Sequence, residues 1–388
     1  ASAGDDTINF GITGTITLAS SLPAIVTATT AGTLSVTGPG STLLTISGNN
    51  KNIQVFNISS GANLSFSGIT ISGANTSFRG TIENSGTLSI SDSTLSGNAS
   101  TSRGGAIFNA NGASLSIANS ILSGNSSDRG GAICAYGTVT ISNSILSGNT
   151  GGGNGTDNGG GAIYFKGTVY TSQILTISNT TISGNKASIG GGINSLGKVV
   201  MSNSTISGNS ATAGPGGGIR HNFDLTLSFC TISGNSAAGE GGGVFNARIT
   251  AATNCTIAGN SAASGGGFYN SSTETNVTLI NTILGDNNGG DYGYRVGGGG
   301  TGPGTNGAST NNLVTQGSFG WATTVESAQL NLGVLQNNGG PTATHALITG
   351  SFAISSTVLG SPNLDQRGFT RTTADIGAYS YNYTGKDG

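Results

Sequence analysis

The stretch that decides the fold reads Val139-Thr140-Ile141-Ser142-Asn143-Ser144-Ile145-Leu146-Ser147-Gly148-Asn149. Close copies of it recur along most of the 388-residue chain. Aligned on the first Asn, with steps of 27, 24, 36, 24, 26, 25 and 27 residues, the copies fall at Asp92, Asn119, Asn143, Asn179, Asn203, Phe229, Asn254 and Asn281. A nearly constant period of this length indicates a solenoid, in which each repeat stacks on its neighbours.

Apolar and polar residues alternate inside each copy, so that Val139 and Ile141 face one side of a strand while Thr140 and Ser142 face the other. Gly-rich corners separate these runs, and apolar residues do not recur at helical spacing. The sequence therefore predicts an all-β parallel solenoid. Its regions are an N-terminal cap over residues 1–53, a regular β-helix over 54–288, a Gly-rich linker over 289–311 and a C-terminal module over 312–388.

Two sets of motifs carry family resemblances. Runs such as Thr205-Ile206-Ser207-Gly208-Asn209-Ser210-Ala211 resemble the right-handed parallel β-helix proteins of bacterial surfaces, which implies right-handed coils over about residues 45–288. Further on, Asn337-Asn338-Gly339-Gly340-Pro341, Asp365-Gln366-Arg367-Gly368 and Asp375-Ile376-Gly377-Ala378-Tyr379 are similar to the C-terminal region of the choice-of-anchor Q family. That second resemblance implies attachment to a cell envelope rather than a particular chemistry.

The composition excludes some partners. Charged residues make up 7% of the chain and the formal net charge is -2, so no basic surface for nucleic acid is expected. No apolar run reaches the roughly 18 residues that a membrane helix needs, and no transmembrane segment is predicted. The start, Ala1-Ser2-Ala3-Gly4, is compatible with a trimmed secretory precursor. We expect an extracellular or cell-surface protein.

Two columns of the repeat are predicted to be structural. An Asn at the same corner of successive coils can bridge its amide to the next one, and the members of this column are Asn119, Asn143, Asn179, Asn203, Asn254 and Asn281. Cys230 and Cys255 directly follow that column, and stacked coils would bring them to about 4.8 Å, within disulfide reach. They either pair or fill a column of small residues shared with Ser144 and Ser204.

Catalytic constellations are not apparent in the sequence. A glycoside hydrolase needs two carboxylates about 5 to 9.5 Å apart, whereas the 15 acidic residues of this chain are scattered. Asp128 and Glu240 precede equivalent Gly runs but lie four coils apart, roughly 19 Å at strand spacing. His221 and His345 match no metal-binding or nucleophile pattern. We predict no catalytic residue, no metal site and no enzyme activity.

An insertion near Thr150 to Gln173 leaves one cofactor open. Its heptad Gly151 to Asp157 contains a Gly-Gly-x-Gly-x-Asp match, which binds calcium when it occurs in tandem but here occurs once. The heptad is therefore either a calcium site or a side loop. Arg103 and Arg129, one coil apart, either face an acidic partner or are solvated corner residues.

Two further columns point toward binding. Alternation turns an aromatic column outward, comprising Phe56, Phe108, Tyr164, Phe245 and Tyr269. Such rings either grip glycans or a partner protein, or lie under loops. A Thr column, Thr181, Thr205, Thr231 and Thr256, resembles the flat Thr arrays of ice-binding solenoids, although Thr is also a common strand residue.

The low charge and the separate end regions favour a structural or adhesion protein that self-associates end to end into a fibre, with cell-envelope components as further partners. The alternative is a protein that binds or acts on polysaccharides, as a lyase or a hydrolase would, near the insertion at Thr150 to Gln173.

Overall fold

The computed structural model describes residues 4–26, 32–77, 79–153, 159–167, 173–272, 277–295, 308–355 and 358–381. The chain is all-β with almost no helix, and its parallel stacked coils form a right-handed β-solenoid of about 11 turns with a spacing of about 26 residues. The predicted fold class is thereby confirmed. No helix within the described ranges is long and apolar enough to cross a membrane. The chain divides into two compact units, Ala1–Thr176 with Ile182–Lys198 and Ile177–Thr181 with Val199–Gly388.

A full coil contributes one short strand to each of four parallel sheets, numbered here in the order in which a coil meets them. In the first unit, sheet 1 contains Asp6–Asn9, Thr33–Thr37, Asn63–Ser67, Thr87–Ser91, Ser114–Ala118 and Thr138–Ser142. Sheet 2 contains Gly14–Thr17, Leu44–Ser47, Thr70–Ser72, Thr94–Ser96, Ile121–Ser123 and Ile145–Ser147. Sheet 3 contains Asn75–Thr76, Ala99–Ser100, Ser126–Ser127, Thr150–Gly151 and Lys186–Ala187. Sheet 4 contains Phe56–Ile58, Ile82–Asn84, Ile107–Asn109, Ile133–Ala135, Ile163–Phe165 and Ile193–Ser195.

The second unit repeats the same order. Its sheet 1 strands are Asp224–Ser228, Ile249–Thr253 and Val277–Ile280. Its sheet 2 strands are Thr205–Ser207, Thr231–Ser233, Thr256–Ala258, Ile283–Gly285, Asn312–Val314 and Ala322–Thr324. Sheet 3 contributes Ser210–Ala211 and Ser236–Ala237, and sheet 4 contributes Ile219–His221, Val244–Asn246, Phe268–Asn270 and Tyr292–Tyr294. The chain crosses from one unit to the other three times. Each crossing falls inside a strand: Ile174–Ser178, Thr181–Ser183 and Lys198–Ser202.

Like residues stack on like because the strands pair in register. Leu115 lies opposite Val139, Ile117 opposite Ile141, and Leu122 opposite Leu146. All six side chains are buried, while Thr140, between the inward pair, is exposed. The alternation seen in the sequence therefore builds a continuous apolar interior, in which each coil covers the side chains of the next.

The first Asn of the repeat forms a corner. Asn143 has φ 48°, in the left-handed region that Asn tolerates better than most residues. It is exposed, and it turns the chain from sheet 1 into sheet 2. The same conformation recurs at Asp92, Asn119, Asn179, Asn203, Phe229, Asn254 and Asn281. Amide rungs occur within this column, for example from Asn119 Nδ2 to Asp92 Oδ1 at 3.2 Å.

A buried amide ladder runs instead through the second Asn of the repeat, which the sequence interpretation did not single out. Asn149 Nδ2 donates to Leu122 O at 3.0 Å and to Asn185 Oδ1 at 2.9 Å. Its Oδ1 accepts from the backbone N–H of Asn125 at 2.9 Å and from Asn125 Nδ2 at 3.0 Å. Equivalent buried residues are Asn98 in the first unit and Asn209, Asn235, Asn260 and Asn287 in the second.

In the second unit this ladder ends on a carboxylate. Asp291 Oδ1 accepts from Asn287 Nδ2 at 2.8 Å, and Asp291 Oδ2 accepts from the backbone N–H groups of Thr315 and Gln316 at 2.6 and 2.8 Å. Burial raises the pKa of Asp291, and these hydrogen bonds oppose that shift. Asp291 and the strand Tyr292–Tyr294 belong to the coiled body, although the sequence placed them in a linker beginning at residue 289.

The C-terminal segment covers the Thr column of the second unit. It contains the helix Ser327–Leu330 and two antiparallel pairs, Leu332–Gln336 with Thr344–Leu347 and Val358–Leu364 with Thr370–Thr373. Gln366 accepts from Thr231 Oγ1 at 2.7 Å and donates to Thr205 Oγ1 at 2.9 Å, and Ala378 N–H donates to Thr256 Oγ1 at 3.1 Å. These three Thr residues are buried, so they offer no open face to ice.

Replacing Asn149 with Ala should lower the free energy of unfolding by about 3 kcal/mol or more, because four buried hydrogen-bond partners would lose their amide. The urea midpoint followed by circular dichroism measures this. The matched variant Asn143→Ala removes an exposed corner amide and should cost only about 1 kcal/mol, from left-handed strain. Equal losses in the two variants would contradict the assignment of the ladder to Asn149.

Candidate functional site

Three arginines stack on successive coils of the first unit, at the corner that leads into sheet 4. Arg79 is bridged in parallel to Arg103, and Arg103 to Arg129. Successive strands lie about 4.8 Å apart, so the column presents one cation per coil. Gly104 follows Arg103 with φ 58°, and a Cβ there would lie 1.9 Å from Ile107 O. The glycine is thus required for the sharp turn that carries the arginine.

Aromatic rings lie beneath these arginines. The guanidinium carbon of Arg79 lies 5.0 Å from the Phe108 ring centre, and that of Arg103 lies 5.7 Å from the same ring. Arg103 is also 5.5 Å from the Tyr136 ring, and Arg129 is 5.8 Å from the Tyr164 ring. These are cation–π distances. We call the six residues the arginine–aromatic strip: Arg79, Arg103, Arg129, Phe108, Tyr136 and Tyr164.

The strip is firmly cationic. Burial opposes the charge of Arg129, but a hydrogen bond with Tyr136 and the neighbouring Tyr164 and Cys134 give a net rise in its pKa. Burial also raises the pKa of the Cys134 thiol to about 12, so Cys134 is neutral near pH 7. All three arginines are half-buried, and the Arg79 side chain is 38% exposed. The guanidinium group of an arginine is always protonated in proteins, and these three are in part accessible.

A polar cavity adjoins the strip at Arg79. Arg79 forms a salt bridge with Glu83, and Gln54 Nε2 donates to Glu83 Oε2 at 3.1 Å. The cavity has a volume of about 430 Å³ and is lined by Ser21, Asn52, Gln54, Thr76, Ser77, Arg79 and Glu83. Hydroxyls, amides and one ion pair form this wall, which is suited to a ligand rich in hydroxyl groups.

The predicted aromatic column is only partly as expected. Phe56 lies opposite Ile82, while Asn57 lies opposite Glu83. Phe56 therefore belongs to the inward column, and it packs against Phe66 with ring centres 5.6 Å apart. The assignment of Phe56 to the outward face is wrong because a register shift of one residue reverses the face.

The other members of the aromatic column divide into two pairs. Phe108 and Tyr164 point outward but are buried, at 4% and 1% exposure, under the arginines of the first unit. Phe245 and Tyr269, in the second unit, are half-buried. Only the second pair therefore presents ring surface to solvent.

Cys230 and Cys255 are buried free thiols, so the disulfide left open by the sequence is not formed. Each Sγ donates to the carbonyl two residues earlier, Ser228 O and Thr253 O, at 3.3 Å. Ser144 Oγ makes the equivalent bond to Ser142 O at 2.7 Å. The thiols thus occupy a column of small donors. Burial and the adjacent Cys230 raise the pKa of Cys255.

The two histidines have separate partners. His221 lies opposite Asn246 in sheet 4, is fully buried, and has Nε2 2.8 Å from Thr250 Oγ1. His345 Nδ1 lies 2.7 Å from Gly333 O and Nε2 lies 2.8 Å from Ser233 Oγ, which ties the C-terminal segment to sheet 2. Burial, and then the charge of Arg220, lower the pKa of His221 to about 3.

Acid should destabilise the fold through His221. The folded state resists protonation until about pH 3, whereas the unfolded chain takes up the proton near pH 6.5. Stability is therefore intact above pH 6.5 and falls as the pH drops toward 3, by about 2 to 3 kcal/mol at pH 4.5. His221→Asn, which matches Asn246 in the next coil, should reduce the loss in urea midpoint between pH 7.5 and 4.5. Burial also lowers the pKa of His345, so His345→Gln should remove a separate part of the loss. An unchanged loss in His221→Asn would refute the prediction.

Among the described residues, no group of three or more His, Cys, Asp or Glu side chains could hold a metal ion. Of the heptad Gly151 to Asp157, only the first three residues lie within the described ranges. Calcium at that heptad stays a prediction.

Comparison with known proteins finds matches among solved structures. No protein-family model and no curated protein matches the chain. Among solved structures, the PL6 family alginate lyase AlyGC matches 97% of this chain and 55% of its own, with 12% identity and a TM-score of 0.47. The chain thus spans about half the length of that lyase. Pectate lyase Pel9A matches 97% of this chain and 88% of its own, with 11% identity and a TM-score of 0.42. A mannuronic acid specific family 6 lyase from human gut microbiota matches 83% and 86%, with 11% identity and a TM-score of 0.39.

These matches correct one expectation. The sequence predicted that the chain is not an enzyme, and that prediction is contradicted because the solved structures that it resembles are polysaccharide lyases. At 11 to 12% identity the likeness concerns the fold. In the arginine–aromatic strip, cationic and aromatic side chains of this chain lie in contact.

Sequence reasoning named four of the six residues of this strip, but it assigned Phe108 and Tyr164 to a separate aromatic column. It considered Arg103 and Arg129 but not Arg79 or Tyr136. The available signal was spacing, because Arg79, Arg103 and Arg129 are separated by 24 and 26 residues, the period of the repeat. The stacking of guanidinium on ring depends on side-chain directions that the repeat alone does not specify.

Proposed function

We propose that this protein is polysaccharide-active and that it binds an acidic polysaccharide along the arginine–aromatic strip and the adjoining polar cavity. The observation that carries the proposal is the column of Arg79, Arg103 and Arg129 on consecutive coils, beside a wall of hydroxyls and amides. A polysaccharide-active protein is the alternative function that the sequence left open, beside the favoured self-associating fibre.

The spacing of the cations favours a polymer over a small anion. One guanidinium per coil, at about 4.8 Å, suits a chain that carries an acidic group on successive units. Carboxylate and sulfate groups accept paired N–H donors from arginine, and a planar guanidinium provides them in a fixed fork. The hydroxyls of such a polymer would meet Ser21, Ser77 and Asn52 in the cavity.

Catalysis by elimination is compatible with such a strip. In elimination, a base removes the proton next to a uronic carboxyl, a carbon–carbon double bond forms, and the glycosidic oxygen leaves with a proton. A cation on the carboxylate makes that C–H more acidic, and an arginine of the strip would supply it. Tyr136, which contacts Arg103 and hydrogen bonds Arg129, is the phenol placed beside those cations.

Arg103→Gln should weaken binding of a polyuronate by about tenfold, because it replaces the central cation with a shorter, neutral polar side chain. Titration calorimetry at low and high salt measures the loss, and absorbance of an unsaturated product in the ultraviolet reports cleavage. Arg248→Gln is the matched control, since Arg248 lies 5.0 Å over the Phe223 ring outside the strip. Absence of polyuronate binding, or equal weakening in both variants, would overturn the proposal.

Self-association is a second candidate, favoured by the N-terminal edge of the first unit. Asp6–Asn9 and Gly14–Thr17 are the end strands of their sheets among the described residues. Ile8 and Ile12 are 47% and 54% exposed there. An open edge with apolar side chains can accept a strand from another copy. This role would accord with the secreted or cell-surface location implied by the C-terminal resemblance.

The double variant Ile8→Lys with Ile12→Lys should keep the protein monomeric if this edge mediates assembly, because charged edge residues oppose strand pairing. Sedimentation velocity over a range of concentrations compares it with the unmodified chain. Val334→Lys, at a residue 74% exposed on the C-terminal segment, is the control. A monomeric unmodified chain at high concentration would refute the role.

A further inference from the structure

One carboxylate lies at the Arg79 end of the arginine–aromatic strip. Glu83 occupies the outward column of sheet 4, between Asn57 and Phe108 of the neighbouring coils. It forms a salt bridge with Arg79, and its side chain is 14% exposed. Gln54 Nε2 donates to Glu83 Oε2 at 3.1 Å. A cation and an amide therefore hold this carboxylate in place at the wall of the polar cavity.

The salt bridge changes the charge along the strip. Arg79 and Glu83 together carry no net charge, whereas Arg103 and Arg129, on the next two coils, each add a positive charge. An acidic group of a ligand that lay beside Glu83 would lose water and meet a like charge, and both effects oppose its binding. The strip thus favours acidic groups at Arg103 and Arg129 and a neutral group at Arg79.

The cavity at Arg79 is suited to a neutral group that carries hydroxyls. Its volume of about 430 Å³ lies within the range of small-molecule pockets. On its wall, Asn52 Nδ2 donates to Ser77 Oγ at 3.2 Å, and the Ser77 backbone N–H donates to Asn52 Oδ1 at 3.1 Å. Both residues are exposed. An amide and a hydroxyl can donate to and accept from sugar hydroxyls, and neither requires a charge on the sugar.

The opposite end of the strip has no room for a further cation. The position that follows Arg129 in the column is Gly159. A Cβ added at Gly159 would lie 2.3 Å from Ile189 O and 2.8 Å from Ile189 Cγ1, so a side chain does not fit there. From the cavity to Arg129, the site therefore spans three positions, of which the first is neutral in charge and the next two are cationic.

We propose that the preferred ligand is a mixed polysaccharide in which a neutral sugar adjoins two acidic ones, and that Glu83 determines this preference. The neutral unit occupies the cavity and the acidic units lie along Arg103 and Arg129. The inference rests on the proposed function, because it concerns the same site. Glu83 discriminates by repulsion, since its charge penalises an acidic unit in the cavity and not a neutral one. A polymer with an acid on every unit still binds through the two arginines, but less tightly.

The test compares tetrasaccharides on the full chain by titration calorimetry. All-acid forms of galacturonate and of mannuronate are each compared with end-neutral forms, in which the first or the last unit is carboxyl-reduced to a neutral sugar. One end-neutral form should bind about fivefold more tightly than its all-acid parent, although it carries one charge fewer. High salt should reduce this preference, because it screens the repulsion. The comparison needs no variant and so does not depend on refolding.

Glu83→Gln keeps the side-chain length but removes the charge. It should strengthen binding of the all-acid form by about fivefold and leave the end-neutral form within about twofold. Glu240→Gln, which removes a half-buried carboxylate of the second unit, is the matched control and should alter neither affinity. Unchanged urea midpoints would show that both variants are folded.

Two results would overturn the inference and leave the proposed function standing. In the first, the all-acid form binds at least as tightly as both end-neutral forms. In the second, Glu83→Gln changes the affinities of the two forms equally. If neither the tetrasaccharides nor a polyuronate bind, the proposed function fails, and the inference fails with it.

Discussion

The structure depends on the buried amide ladder formed by the second Asn of each repeat. A buried amide without hydrogen-bond partners lowers the stability of the folded state. In this ladder, both the amide nitrogen and the amide oxygen find partners on neighbouring coils. Asn149 joins Leu122 and Asn185 as a donor and Asn125 as an acceptor. Since a shift by one residue would break every rung, the ladder fixes the register within each unit. The interior apolar stacks then follow.

A fixed register turns the outward side chains into columns. Repeat lengths of 24 and 26 residues bring Arg79, Arg103 and Arg129 to equivalent corners. The interior fixes which positions point outward but not which residue types occupy them, so the outward positions of sheet 4 hold arginine-covered rings at Phe108 and Tyr164 and a stacked ring pair at Phe245 and Tyr269. This independence lets the interior of a β-helix stay constant while its surface chemistry changes from coil to coil.

Much of the fold follows from local pattern, and much of the site does not. Alternation in Val139 to Ser142 and the positive φ of Asn143 are properties of a single repeat, so the coil could be predicted. Phe56 was misplaced because Val55 beside it is also apolar and buried, so that either register satisfies the alternation there. The covering of Thr205 by Gln366 joins residues 161 positions apart, and no repeat period encodes such a contact.

The arginines of the strip serve packing and, in the proposed function, also binding. Each guanidinium covers a ring that would otherwise expose apolar surface, as at Phe108, which is only 4% exposed. A side chain held in this way has already lost rotamer freedom on folding, so less entropy remains to be lost when an anion binds. The same contact that buries the aromatic column therefore prepares the cations for a ligand. A solvated arginine on an open corner would bind an anion more weakly, because it would lose its rotamer freedom only when the anion binds.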